Sequence, residues 1–241
     1  MKLIRILSVI LCLIFTACGV GSVSKSAVKR LDNNPIIGTF GTYNKDLISH
    51  KFHEIGLPDF KGKIRLTVSA IKFDKSSFKN YNVQFSNQEN LKAADSVDIS
   101  SSYHRIGIGD MVGFVDAINS DSNKSLKDYL EITQNNLVLS EVLIKFPEAV
   151  ALQLNAASAV YLVNDKTNSY SLEVFSGGNK ALRIEFKEGI CFGYFFSDLC
   201  WKENRKGDPI VAAIISNGSS CPGNTKQDPD KVHSKDIFDK I

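Results

Sequence analysis

What this chain has little of narrows it first. No apolar stretch reaches the ~18 residues that a membrane-crossing helix requires; the most apolar run, residues 6–15, has ten. No cationic block is present either, since 29 basic residues are spread among 26 acidic ones for a net charge of +3. Nucleic-acid binding needs a basic face, so that partner class is excluded. Histidine is scarce, at four residues, and no two of them stand in a helical zinc signature. No histidine falls in a recognisable catalytic context beside a serine or cysteine, so an enzyme is not the favoured reading and no cofactor is expected.

What is present begins at the first residue. Met1-Lys2-Leu3-Ile4-Arg5 is a short basic start, followed by the apolar run and then by Thr16-Ala17-Cys18-Gly19. A run this short reads as the core of a secretion signal rather than as a membrane span. Phe15-Thr16-Ala17-Cys18 resembles the lipobox of bacterial lipoproteins, with Phe15 where Leu is usual. The resemblance implies cleavage before Cys18, diacylglycerol on its sulfur and an amide-linked acyl chain on its nitrogen, so the partner it implies first is the membrane itself. Two or three acyl chains, at about 0.8 kcal/mol per buried CH₂, make a stable anchor. Gly19 rather than Asp after the lipid cysteine implies an outer-membrane protein facing the periplasm.

Removal of residues 1–17 leaves 224 residues, and the loss of Lys2 and Arg5 leaves 27 basic against 26 acidic side chains, a net charge of +1. Residues 18–34 are polar, with two glycines, and read as a lipidated flexible tether. Residues 35–216 read as the globular part, as one domain or as two lobes, 35–118 and 119–216. Residues 217–241, polar and rich in Pro and Gly, read as a loose tail.

Within the globular part, residues 64–74 alternate as a strand whose apolar phase slips by one at Ala70, which predicts a bulge there. Tyr81, Val83 and Phe85 alternate with polar neighbours as a second strand, and residues 87–96 read as a loop or short helix. Residues 97–118 are strand-like, punctuated by Gly107, Gly109 and Gly113. The order Ser125-Leu126-Lys127-Asp128 resembles a capping box and opens an amphipathic helix to about residue 134. Residues 137–146 form a buried strand, and Pro147 opens a helix to about 157 or the strand continues. Five strand-like runs follow, at 159–164, 169–176, 181–187, 190–201 and 210–216, separated by short turns that predict sequential hairpins. The fold class is therefore α+β, mostly an antiparallel β meander with one or two short helices.

After cleavage, Cys191, Cys200 and Cys221 remain for an oxidising compartment. A hairpin turning near Arg205-Lys206-Gly207 makes cross-strand partners sum to roughly 412, which favours a Cys191–Cys221 disulfide, with Cys200–Cys221 as the rival. A free Cys200 beside Trp201 would be a buried small hydrophobe or, as in lipid-anchored cysteine peptidases, a nucleophile. His50-Lys51-Phe52-His53-Glu54 offers zinc donors in an order unlike the known signatures and reads as exposed loop histidines. Gly107-Ile108-Gly109-Asp110-Met111-Val112-Gly113 approximates a dinucleotide loop with its third glycine one residue late, and reads as strand bends. Asp95, Asp98, Asp110 and Asp116 are the carboxylates available for glycoside hydrolysis. The apolar strand at 190–196 lacks alternation, so both of its faces are expected to be covered.

Ile36-Ile37-Gly38-Thr39-Phe40 resembles the Gly-x-Trp opening of lipocalin-like domains, with Phe40 in place of Trp. That resemblance implies a closed barrel whose cavity is lined by Phe192, Tyr194 and Phe196. The leading expectation is a membrane-anchored, non-enzymatic binding or assembly module with a protein or other envelope partner. A carrier of an apolar ligand and a cell-envelope hydrolase are the alternatives.

Overall fold

The computed structural model describes residues 29, 31, 34–45, 50–86, 97–164 and 170–232. The signal, Cys18 and nearly all of the tether lie outside the described residues, as do the 87–96 segment, Asp95 and His233.

The fold is α+β and mostly antiparallel β. Strands β1 (Phe40–Lys45), β2 (His50–Gly56) and β3 (Ile64–Lys72) precede α1 (Lys75–Ser86). Then come β4 (Ser102–Ile108), α2 (Met111–Ile118), α3 (Lys124–Ile132), β5 (Leu137–Lys145) and α4 (Glu148–Asn155). The chain closes with β6 (Ala159–Asn164), β7 (Tyr170–Ser176), β8 (Asn179–Glu185), β9 (Ile190–Glu203) and β10 (Pro209–Ser216). The ten strands form one sheet in the order β10-β9-β5-β4-β3-β6-β7-β8, with the β1–β2 hairpin attached to the start of β5.

The expected run of hairpins holds for β6-β7-β8 and for β9-β10, but β8 and β9 are six places apart in the sheet. Six strand steps at ~4.8 Å would cover ~29 Å on a flat sheet, whereas the connection through residues 186–189 reaches only ~17 Å. The sheet must therefore curl back on itself. Its main core collects side chains from nearly every strand together with Phe114, Ile118, Leu130 and Leu154 from α2, α3 and α4. Phe114 sits 6.1 Å from Phe40 and 5.5 Å from Phe60 between ring centroids. At ~1.5–3 kcal/mol for each large apolar side chain removed from water, this interior is the main source of stability.

A second, smaller core lies on the other face of the sheet, under α1. Phe73, Tyr81, Tyr103, Leu143, Ile190 and Phe192 form it. This corrects two expectations. Residues 81–86 are helical, not a strand: Asp74 Oδ1 accepts the Ser77 N–H at 2.7 Å while Ser77 Oγ accepts the Asp74 N–H at 2.9 Å, a reciprocal cap. Phe78, Tyr81 and Phe85 then pack toward the second core at helical spacing. Nor is there a bulge at Ala70, because β3 pairs with β4 in unbroken register from Leu66 to Lys72. The phase slip reflects a change of partner: Ile64 and Leu66 serve the main core, and Ile71 serves the core under α1. A bulge does occur in β9, where Leu143 faces Gly193 and Ile144 faces Cys191. Phe192 is the extra residue, so Cys191, Tyr194 and Phe196 enter the main core while Phe192 and Phe195 turn to α1.

Residues 97–118 also differ from the expected strands, since β4 gives way to α2. Asp110 caps α2 by accepting the Gly113 N–H at 2.8 Å. A Cβ on Gly113 would come within 2.4 Å of the Asp110 carboxylate, so glycine here preserves the cap. The two expected helices appear as α3 and α4, and four α-helices are present among the described residues rather than one or two.

The disulfide joins Cys200 to Cys221, and Cys191 is a buried free thiol, which corrects the Cys191–Cys221 assignment. The hairpin arithmetic itself holds, with Val211 opposite Trp201. What fails is the premise that the strand runs straight on to 221. β10 ends at Ser216, and the chain turns through Gly218 at φ +83° and returns along β9. Trp201 exchanges both backbone hydrogen bonds with Lys226, at 2.7 and 2.9 Å. Residues 217–232 are thus pinned, not loose: Asp198 accepts from Asn217 and Gly218, and Pro229 is buried.

Candidate functional site

The carboxylates and histidines singled out by sequence do not assemble. Asp98 is exposed and bonded to Ser100, which lowers its pKa, and Asp110 is committed to capping α2. The Asp110 carboxylate also stands at the helix start, where a dinucleotide phosphate would have to sit. The His50 to Glu54 segment lies on β2, so its spacing is that of a strand rather than of a helix face. Cys200 is bonded to Cys221 and is no thiol nucleophile. Burial pushes the Cys191 thiol up to about 12, leaving it a small core hydrophobe. Phe192, Tyr194 and Phe196 divide between the two cores instead of lining one cavity wall.

A feature that no motif announced is the far half of β3. The Arg65 carbonyl accepts from the Gly109 and Asp110 N–H groups, and the Phe73 N–H donates to the Ser101 carbonyl. Odd-numbered residues of β3 therefore turn their backbone polar groups to β4, and even-numbered ones turn theirs to the opposite edge. β6 covers that edge only from Ile64 to Leu66 and then diverges. Beyond it, Val68, Ala70 and Lys72 present N–H and C=O groups that no strand covers among the described residues. Ala70 and Lys72 are exposed, and Val68 is half-buried.

Between this edge and residues 154–160 lies a groove of about 330 Å³. Its far wall is built from Asn155, Ala157, Ser158 and Ala159, small or uncharged residues where α4 ends and β6 begins. Arg65 is the one charged residue in its lining, and Lys72 stands further along the same edge. No family, curated protein or solved structure matches the chain.

The wall of the groove rests on a buried histidine. His104, opposite Ala70 on β4, is 1% exposed, and its Nε2 lies 3.0 Å from Asn155 Oδ1. An amide oxygen accepts, so Nε2 carries the proton, and Nδ1 has no partner among the described residues. Burial and the nearby Lys145 cation lower the His104 pKa, against a smaller upward pull from Asn155. The neutral ring is thus the form that holds the end of α4 to the sheet.

A second groove, of about 290 Å³, runs between the 133–136 turn and the returning 227–231 segment, over Trp201. Asn136 lies in its wall, donates to the Leu130 and Thr133 carbonyls, and leaves its Oδ1 without a partner. Trp201, at 1% exposure, offers no open ring face for stacking. The β3 groove is the better candidate, because it alone of the two combines space with a row of backbone groups that no strand covers among the described residues.

Proposed function

We propose that this chain is a lipid-anchored, non-enzymatic binding or assembly module of a bacterial envelope, placed at the outer membrane and facing the periplasm. The Phe15-Thr16-Ala17-Cys18 sequence supports the anchor, with Cys18 as the acylated residue, and Gly19 supports the outer membrane. The observation that carries the binding role is the groove beside the open edge of β3. An open strand edge is a ready template for pairing with another chain, and here a groove beside it gives that chain room.

Two measurements on the full chain in a bacterial host test the reading. Radiolabelled palmitate is expected to enter the wild-type protein and not the Cys18→Ser variant, which should leave the membrane fraction. A photo-crosslinking residue at position 70 is expected to trap an envelope component that one at exposed Tyr129 does not. Unlabelled wild-type protein, or equal crosslinking at both positions, would refute the anchor or the docking site respectively.

A further inference from the structure

We propose that the edge of β3 at Val68, Ala70 and Lys72 is a strand-addition site for an extended, carboxylate-bearing segment of a partner polypeptide. The inference rests on the binding-module reading and names what the module holds.

The chemistry of the edge selects the occupant. Donors and acceptors recur every second residue, about 6.8 Å apart, and the backbone of another strand is the ligand with the matching repeat. The groove supplies the room, and Ala157, Ser158 and Ala159 across it leave space for the incoming side chains.

The edges of β10 and β8 carry features that this one lacks. On β10, Asn119 clasps the outer edge as a strand would: its Nδ2 donates to the Val211 carbonyl at 2.8 Å and its Oδ1 accepts the Val211 N–H at 3.0 Å. Pro209 opens that strand, and its register is broken between Val211 and Ala213. β8 carries Lys180, Arg183 and Glu185 and a register break of its own. Proline, bulges and charges are the usual means of blocking an edge. The span from Val68 to Lys72 has no proline and no break in register, and only its last residue is charged.

Charge decides between a foreign segment and a second copy. Arg65 and Lys72 flank the open stretch, and no carboxylate lines the groove. Pairing β3 with β3 of another copy about Ala70 would bring no carboxylate to the seam and add a second Lys72 to it, whereas a segment bearing Asp or Glu supplies the opposite charge.

The test selects its own ligand. Random decapeptides displayed on phage are panned against the full lipidated chain in detergent and counter-selected against the Ala70→Pro variant, which lacks one edge N–H. Enriched peptides are expected to carry Asp or Glu and to bind wild type at least tenfold more tightly than Ala70→Pro. They should also slow amide exchange at Val68, Ala70 and Lys72 while leaving Val211 unchanged. N-methylating alternate peptide amides leaves the protein untouched and is expected to cost at least tenfold in affinity, a control that stands even where Ala70→Pro misfolds. Enrichment without preference for wild type over a folded Ala70→Pro, or indifference to N-methylation, would overturn the proposal. So would a wild-type dimer in sedimentation that Ala70→Pro dissolves, which would assign the edge to a second copy. Crosslinks at position 70 without amide protection would overturn strand addition and leave the binding module standing; the absence of both would remove the docking site altogether.

Discussion

The outer edge of β10 and the far edge of β3 pose the same physical problem and receive opposite treatments. Each is a row of backbone donors and acceptors that no strand covers among the described residues. On β10 Asn119, at the end of α2, occupies both backbone groups of Val211, and on the far side of β9 a disulfide returns the tail to pair with Trp201. On β3 the problem is left unsolved beside a groove of about 330 Å³. Blocking an edge takes only an amide side chain or a proline, so an edge left open next to fitted space is informative about use.

The comparison can be broken at its blocked side first. Replacing both Cys200 and Cys221 by Ser removes a closure across 21 residues and is expected to cost about 3 kcal/mol, read from urea denaturation. It should also raise amide exchange at Trp201 and Lys226, whose mutual bonds depend on the returning tail. Asn119→Ala comes next: Val211 is 1% exposed and would lose both of its partners, at about 1–3 kcal/mol. That variant is also expected to self-associate in sedimentation at concentrations where wild type does not, because it turns β10 into a second open edge. Unchanged stability and assembly would mean that Asn119 is no edge block.

The open side responds to pH. The folded protein lowers the His104 pKa, so it binds that proton less readily than the unfolded chain does. Stability is then fully present above the ordinary histidine pKa of ~6.5 and is lost as pH falls below it, by at most about 1.4 kcal/mol per pH unit. His104→Gln, which removes the titrating ring, should flatten the fall in Tm between pH 7 and pH 5, and an unchanged slope would exclude His104 as its source. The smallest effect is the most telling. Ala70→Pro lies on a half-strand whose outward N–H meets no strand among the described residues, so it is expected to cost no more than about 1 kcal/mol of stability, read from thermal unfolding. A loss comparable to that of Asn119→Ala would show that the two edges are alike after all.

Much of the local structure was legible because it is written in periodicity. β6 and β7 fall within a residue of their expected bounds, since an unbroken apolar run, Ala159 to Val163, and an alternating one, Tyr170 to Val174, flank a polar turn. α3 was readable from the spacing of Leu126, Tyr129 and Leu130. α1 was misread because Tyr81, Val83 and Phe85 satisfy a period of two, while Phe78, Tyr81 and Phe85 satisfy a helical one. The deciding signal was the Asp74–Ser77 cap immediately upstream. The candidate site was not legible at all. Val68, Ala70 and Lys72 look like any strand residues, and their exposure depends on β6 beginning only at Ala159, nearly a hundred residues later.

By itself the sequence determined the α+β class, the positions of most strands and one of the four helices, with a second as one of two readings. These follow from side-chain spacing and capping, which act over a few residues. Only the tertiary structure decided that Cys221 meets Cys200, that β8 and β9 lie far apart in a curled sheet, and that the far half of β3 is left without a strand neighbour among the described residues. Pairing across long loops is set by competition among distant segments for the same core and the same backbone partners, and no local pattern records the outcome.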